Sequence, residues 1–208
     1  GVADYDDLME AAASYTFNYS FLEGLPEGDA SRLEGYLFPD TYEFYVGMQA
    51  SSAINKFLEN FHYMQTADML QQADNLGMSM HEIIKIASMI EKEAANDNER
   101  SRIASVIYNR LKANMPLGID ATILYLYPEH EGAPTAEMLQ IDSPYNTRLY
   151  TGLPPTPVSN PGLMSILAAL NPDHTNYYYY ALDTESGEHR FFTNAGDFDA
   201  FVATQNYG

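Results

Sequence analysis

Apolar and polar positions alternate most regularly between Ser79 and Leu111, where they read as two helices meeting at a polar join. Ile83, Ile84, Ala87, Ile90 and Ala94 recur at helical spacing and make one apolar stripe. Ser79 and Glu82 have the S-x-x-E spacing of a capping box, in which each side chain satisfies an orphan backbone N–H. Met78 and Ile83 stand where a hydrophobic staple would set the direction of the incoming chain. The run AANDN stops this helix, and Asp97 or Asn98 can cap the next. In the second helix Ile103, Val106, Ile107 and Leu111 form the stripe, and Pro116 lies just past its end.

The flanking pattern is less regular. Asp4 to Tyr19 has helical spacing and is followed by a Gly/Pro break at residues 24–28. Leu33 to Phe44, LEGYLFPDTYEF, is aromatic and poor in charge, with Pro39-Asp40 as a turn, and predicts two short strands or extended segments. Ser51–Phe61 and Thr66–Leu76 predict amphipathic helices, the second closed by Gly77 as a C-cap. Residues 117–125 read as a loop entering a short helix, and Ala133–Leu139 as another short helix. Ser143 to Gly162, SPYNTRLYTGLPPTPVSNPG, is dense in Pro, Gly and Asn and too long for a plain connection. Either it is a functional loop or it is a stiff cover without chemistry. Leu163–Leu170 predicts a short helix; Tyr177–Leu182 and His189–Phe192 predict a hairpin turning at Gly187. The expected class is α+β: a central helical pair, with small antiparallel sheets from both ends of the chain and no βαβ rhythm.

Charge narrows the partners. With 10 basic against 29 acidic residues the formal charge is −19, and no Lys/Arg cluster exists to hold a phosphate backbone or an anionic membrane. The absence of cysteine excludes disulfides and thiolate catalysis. No apolar run of 18 residues is present, and Gly1 opens directly on structured-looking sequence, which suggests a piece excised from a longer chain, so a missing anchor is no evidence that the native protein lacks one. Seventeen tyrosines without tryptophan suit sugar contacts, although ordinary amphipathic packing accounts for most of them.

The chemistry left is that of carboxylates. No G-x-S-x-G, P-loop or G-x-G-x-x-G occurs, and five scattered histidines lack zinc-site spacing and read as surface or capping residues. No metal or cofactor is expected. Glu91, Glu93, Asp97 and Glu99 crowd the helical join beside Lys92 and Arg100. They are either a solvated polar end, or one glutamate is desolvated in a cleft and keeps a proton for general acid catalysis. At about 100° per residue, Glu91 and Glu93 point about 200° apart, so at most one faces a given cleft. A single buried glutamate able to protonate a glycosidic oxygen suits carbohydrate chemistry.

Four segments carry a resemblance. LEGYLFPDTYEF, IASMIEKEAANDNERSRIASVIYNRL, SPYNTRLYTGLPPTPVSNPG and the closing hairpin, in this order, resemble the YceG/MltG family of endolytic murein transglycosylases, over Leu33 to Phe192. The resemblance implies cleavage of peptidoglycan strands between N-acetylmuramic acid and N-acetylglucosamine without water, leaving a 1,6-anhydro end. It also implies an N-terminal anchor in the bacterial cytoplasmic membrane, an extracytoplasmic catalytic part, a LysM-like subdomain, and work beside cell-wall synthesis and division proteins. Residues 1–32 would then be a remnant of the upstream subdomain and residues 33–208 the catalytic region. The family's acid lies in its E-K-E motif, here Glu91-Lys92-Glu93. Glu93 is favoured and Glu91 is the runner-up. By the same likeness Ser143, Tyr145 and Asn146 line the glycan cleft, with Tyr150 and Gly152 shaping the loop. Asp120 and Thr122 stand in the place of a D-P-T motif, with Ala121 replacing its proline. Two other readings remain: a hydrolase pairing Glu93 with Asp97 or Asp120, and a silent glycan-binding or divisome scaffold.

Overall fold

The computed structural model describes residues 1–207. Its centre is α4 (Met80–Glu93), which starts at the expected capping box: Ser79 Oγ accepts the Glu82 N–H and the Glu82 carboxylate accepts the Ser79 N–H. The single stripe is an underestimate, because Ile86 and Met89 are as fully buried as Ile83, Ile84, Ala87 and Ile90. Over that stretch only Lys85 keeps partial access to solvent, so the helix is buried on most of its circumference. Around it lie α1 (Tyr5–Ser14), α2 (Ala50–Met64), α3 (Ala67–Leu76), α5 (Arg100–Lys112), α6 (Asp120–Leu124), α7 (Leu163–Leu170) and α8 (Ala195–Val202). The α4, α5 and α7 helices pack on one another, and Gly77 closes α3 at φ 70°, in the left-handed conformation expected of a glycine C-cap.

The class is α+β, with one two-stranded antiparallel sheet among the described residues: β1 (Tyr179–Leu182) and β2 (His189–Phe192), with Tyr180 opposite Phe191 and Leu182 opposite His189. Residues 33–44 form no strand. The Asn160 side chain takes the place of a partner strand there, its Oδ1 accepting the N–H groups of Gly35 and Leu37. Gly35 is pinned against the proline-rich loop at φ 91°, and a Cβ there would lie 2.6 Å from Pro157 and 2.7 Å from Ile84.

Three smaller expectations change. At the join Asn96, rather than Asp97 or Asn98, caps a 3-10 turn (Asp97–Glu99) that runs into α5. Residues 133–139 make no α-helix; only Met138–Gln140 turn, as a 3-10 helix. Beyond the predicted elements the chain adds α8, which packs under the hairpin through Phe198 and Phe201. Among the described residues no helix is long and apolar enough to cross a membrane.

The loop 143–162 has no repeating structure of its own and borrows order from α4. Val158 N–H donates to Ser88 Oγ, Ser159 Oγ donates to the Ser88 carbonyl, and Gly162 N–H reaches Glu91. A loop laid along a buried helix must find partners for its backbone groups there, and Ser88 and Glu91 supply acceptors for the N–H groups of Val158 and Gly162.

Candidate active site

Glu91 and Glu93 leave the end of α4 on different sides, as their spacing requires. One oxygen of Glu91 takes three donors: Ser165 Oγ at 2.6 Å, Gly162 N–H at 3.1 Å and Arg100 Nη1 at 3.4 Å. Gly162 is the N-cap of α7, and Glu91 accepts its backbone N–H and the hydroxyl of Ser165 in the first turn, placing a carboxylate at the positive end of that helix. Through that one oxygen the carboxylate joins α4, α5 and α7.

Glu93 turns to the hairpin. Its Oε2 accepts a hydrogen bond from the Tyr180 hydroxyl at 2.8 Å. Solvent reaches part of the residue, yet protein surrounds the carboxyl on most sides. Burial pushes its pKa up, and the charge of Asp120 adds to this; the Tyr180 hydrogen bond, His189 and Arg148 pull the other way without winning. Tyr180 is half-buried, and desolvation of its hydroxyl together with Glu93 pushes its own pKa far up, so the phenol remains a donor.

The residues that hold Tyr180 come from the join itself. Glu99, 1% exposed, accepts the backbone N–H of His189 at 3.0 Å, its Nδ1 at 3.0 Å and the Ala95 N–H at 2.6 Å. Burial alone would raise the Glu99 pKa, but the hydrogen bonds from His189 and the backbone outweigh it and hold it low. The His189 ring meets Tyr180 edge-on, 5.3 Å between centroids at 89°. From α5, Asn109 Nδ2 bonds the carbonyls of Thr175 and Tyr177, and Arg110 bonds those of Tyr178, Pro116 and Leu117. The start of β1 is thereby fixed against both α5 and the loop leading to α6.

Of the other predicted residues, Asp120 opens α6 and pairs with Arg148, Nη2 to Oδ1 at 2.6 Å, close enough to Glu93 for both charges to be felt there. Thr122 is buried, and its hydroxyl bonds the Ile119 carbonyl and Thr147 Oγ1, locking α6 to the loop. Asn146 is also fully buried, with its amide spent on the carbonyls of Leu139 and Ile141 and its oxygen on the Arg148 N–H. It shapes the loop and has no donor left for a ligand. Ser143 Oγ accepts the Tyr145 N–H, and Tyr145 bonds Thr156 and packs on Tyr125. Tyr150 is exposed, donates to Asp142, and lines a groove of about 480 Å³ with Lys85, Thr151 and Pro155; Gly152 turns the chain beside it at φ 94°. A larger concavity of about 710 Å³ lies between the start of the chain, α1 and residues 47–51, and contains none of these residues.

Sequence reasoning missed Tyr180, Glu99 as an anchor, and two of the histidines. His189 is bonded to Glu99 rather than lying free at the surface, and His81 Nδ1 shares a hydrogen bond with the buried Tyr36 hydroxyl. The signal that could have found Tyr180 was the YYYY run: alternation along a strand sends Tyr178 and Tyr180 to the face opposite Tyr177 and Tyr179.

Fold and site together define a helix-centred α+β domain that presents one desolvated glutamate at the end of its buried helix. The chain belongs to the YceG-like family, whose model matches residues 3–204. It is 42% identical over 158 residues to the endolytic murein transglycosylase of Bacillus subtilis (strain 168), covering 75% of this chain and 43% of that protein. It is 33% identical over 210 residues to the protein of the same name from Streptococcus pneumoniae serotype 2, covering 97% of this chain and 37% of that one. The chain thus spans about two fifths of the length of these relatives. A crystal structure of a yceG-like protein from Listeria monocytogenes superposes with a TM-score of 0.78 at 34% identity, over 95% of this chain and 64% of that one.

Proposed function

We propose that this chain is the catalytic part of a peptidoglycan lytic transglycosylase and that Glu93 is its acid. The observation that carries the reading is the environment of Glu93, a carboxyl whose pKa burial pushes up while it stays partly open to solvent. The names of the relatives point to the same substrate.

In this reading protonated Glu93 gives its proton to the glycosidic oxygen linking N-acetylmuramic acid to N-acetylglucosamine, as positive charge develops at C1. The resulting carboxylate then accepts the proton of the muramic C6 hydroxyl as that oxygen bonds C1. One carboxyl serves both steps, the leaving sugar departs with its oxygen protonated, and the product ends in a 1,6-anhydro ring. No second carboxylate nucleophile is needed. Asp97, paired with Arg100, and Asp120, paired with Arg148, are each already engaged with a cation. The loop carrying Ser143, Tyr145 and Tyr150 forms one wall of the glycan cleft, with Asn146 and Thr122 setting its shape.

Residues 33–208 carry the catalysis, and residues 1–32 belong to a LysM-like part upstream. The whole protein is held by an anchor in the bacterial cytoplasmic membrane, works outside it, and ends growing glycan strands beside the synthesis and division machinery.

Mass spectrometry of glycan strands incubated with the chain tests this. Muramic ends lighter by one water are expected. Ends carrying a free reducing sugar would make it a hydrolase, and binding without any product would make it a scaffold.

A further inference from the structure

A carboxylic acid carries its proton on one of two oxygens, and for a general acid it matters which. Glu93 Oε2 is occupied by the Tyr180 hydroxyl at 2.8 Å, while Oε1 has no hydrogen-bond partner among the described residues. An oxygen that already accepts a donor is the poorer place for the acid proton, since two hydrogens would then compete for one side of the group. The phenol cannot turn away easily. Its ring is fixed edge-on against His189 and lies 6.0 Å from Phe191, and Glu99 clamps His189 through both its backbone and its ring. Glu99 in turn holds the Ala95 N–H, two residues beyond Glu93 itself. The contacts close a ring from the end of α4 through the 3-10 turn, β2 and β1 back to the carboxyl.

We propose that Tyr180 is a positioning residue for Glu93: by occupying Oε2 it leaves the transferable proton on Oε1, and after transfer it steadies the carboxylate until the proton returns. The inference rests on Glu93 being the acid.

The arrangement has a consequence with a definite sign. The groups facing Glu93 are Tyr180 from β1, His189 from β2, Asp120 from α6 and Arg148 from the loop; Arg110 from α5 acts on Tyr180. Asp120 favours the protonated acid, whereas the Tyr180 hydroxyl, His189 and Arg148 favour the carboxylate. Taking away the hydroxyl therefore lets Glu93 hold its proton to higher pH. Strengthening the donor does the reverse. Because the acid acts in its protonated form, the high-pH limb of the rate profile follows Glu93 in both cases.

The test is a pair of pH–rate profiles on glycan strands, for Tyr180→Phe and for a chain with 3-fluorotyrosine placed at position 180 alone, beside Glu93→Gln. Tyr180→Phe is expected to keep turnover within about tenfold of the parent, a fraction of what a general acid contributes, with its high-pH limb displaced upward. The fluorinated phenol keeps the shape and donates more strongly, so its limb moves down. A residue that only filled space would lower the rate without moving the limbs in opposite directions. Unmoved limbs in both variants would overturn the inference while leaving Glu93 as the acid. If Tyr180→Phe fails to fold, the fluorinated chain decides alone. Full activity in Glu93→Gln would instead remove the acid assignment, and the inference with it.

Discussion

Glu91 and Glu93 are two residues apart on one helix and chemically identical, yet their surroundings make them different groups. Glu91 meets a helix N-terminus, a serine and an arginine, all donors to one oxygen, and so ties three helices together. Glu93 is enclosed on most sides beside a nearby aspartate, and these favour a neutral acid against the opposing pull of the Tyr180 hydroxyl. What separates them is the half-turn of helix between them, which sends one carboxyl to a cluster of donors and the other to a site where burial raises its pKa. Glu99 gives the opposite extreme, a fully buried carboxylate that the surrounding N–H groups keep charged.

The contrast breaks most visibly in turnover. Glu93→Gln is expected to lose about 100-fold or more of glycan cleavage, the scale of a general acid, with a melting temperature no lower than the parent's. Glu91→Gln should retain turnover wherever the chain is folded. Equal losses in the two variants would erase the distinction.

Stability should show the reverse order. Glu91→Ala strips three donors of their acceptor and is expected to cost about 1–3 kcal/mol by denaturant unfolding. The loop that Glu91 helps hold is pinned again at Gly35, and Gly35→Ala combines a left-handed backbone with a clash against Pro157 and Ile84. About 2 kcal/mol or more should be lost there; an unchanged denaturation midpoint would mean that the contact yields without cost.

Asp120→Asn is a finer probe. Asp120 favours the protonated Glu93, so its loss should move the high-pH limb of activity downward, opposite to Tyr180→Phe. An upward move would mean that another charge governs Glu93.

The smallest effect is on stability against pH. Glu99 binds its proton less readily folded than unfolded, so its contribution is present above the ordinary value of 4.5 and lost as pH falls through its lower folded value. Glu93 is raised, so its contribution is present below 4.5 and lost as pH rises through its folded value. Melting curves across pH should therefore lose part of their acid decline in Glu99→Gln and part of their rise-limited loss above 4.5 in Glu93→Gln.

Much of this was legible in the sequence because it is local. The capping box at Ser79, the αL glycine at 77, the break at residues 94–98 and the hairpin all follow from short-range spacing. Even the opposed directions of Glu91 and Glu93 followed from helical geometry. What spacing could not supply was the partner across space. Tyr180 lies 87 residues from Glu93, and His189 lies 90 from Glu99. Asn146 looked like a ligand-binding side chain and proves to spend every polar atom on backbone. Residues 33–44 looked like strands because they are aromatic and extended, but a single asparagine side chain satisfies the N–H groups that a neighbouring strand would have bonded.

The most direct measurement is a titration of the side-chain carboxyl carbons by NMR in glutamate-labelled protein, with Glu93→Gln and Glu99→Gln to assign the signals. The account predicts that Glu93 titrates above 4.5 and Glu99 below it, on either side of the ordinary value. A Glu93 signal that titrates at or below 4.5 would contradict its role as the acid.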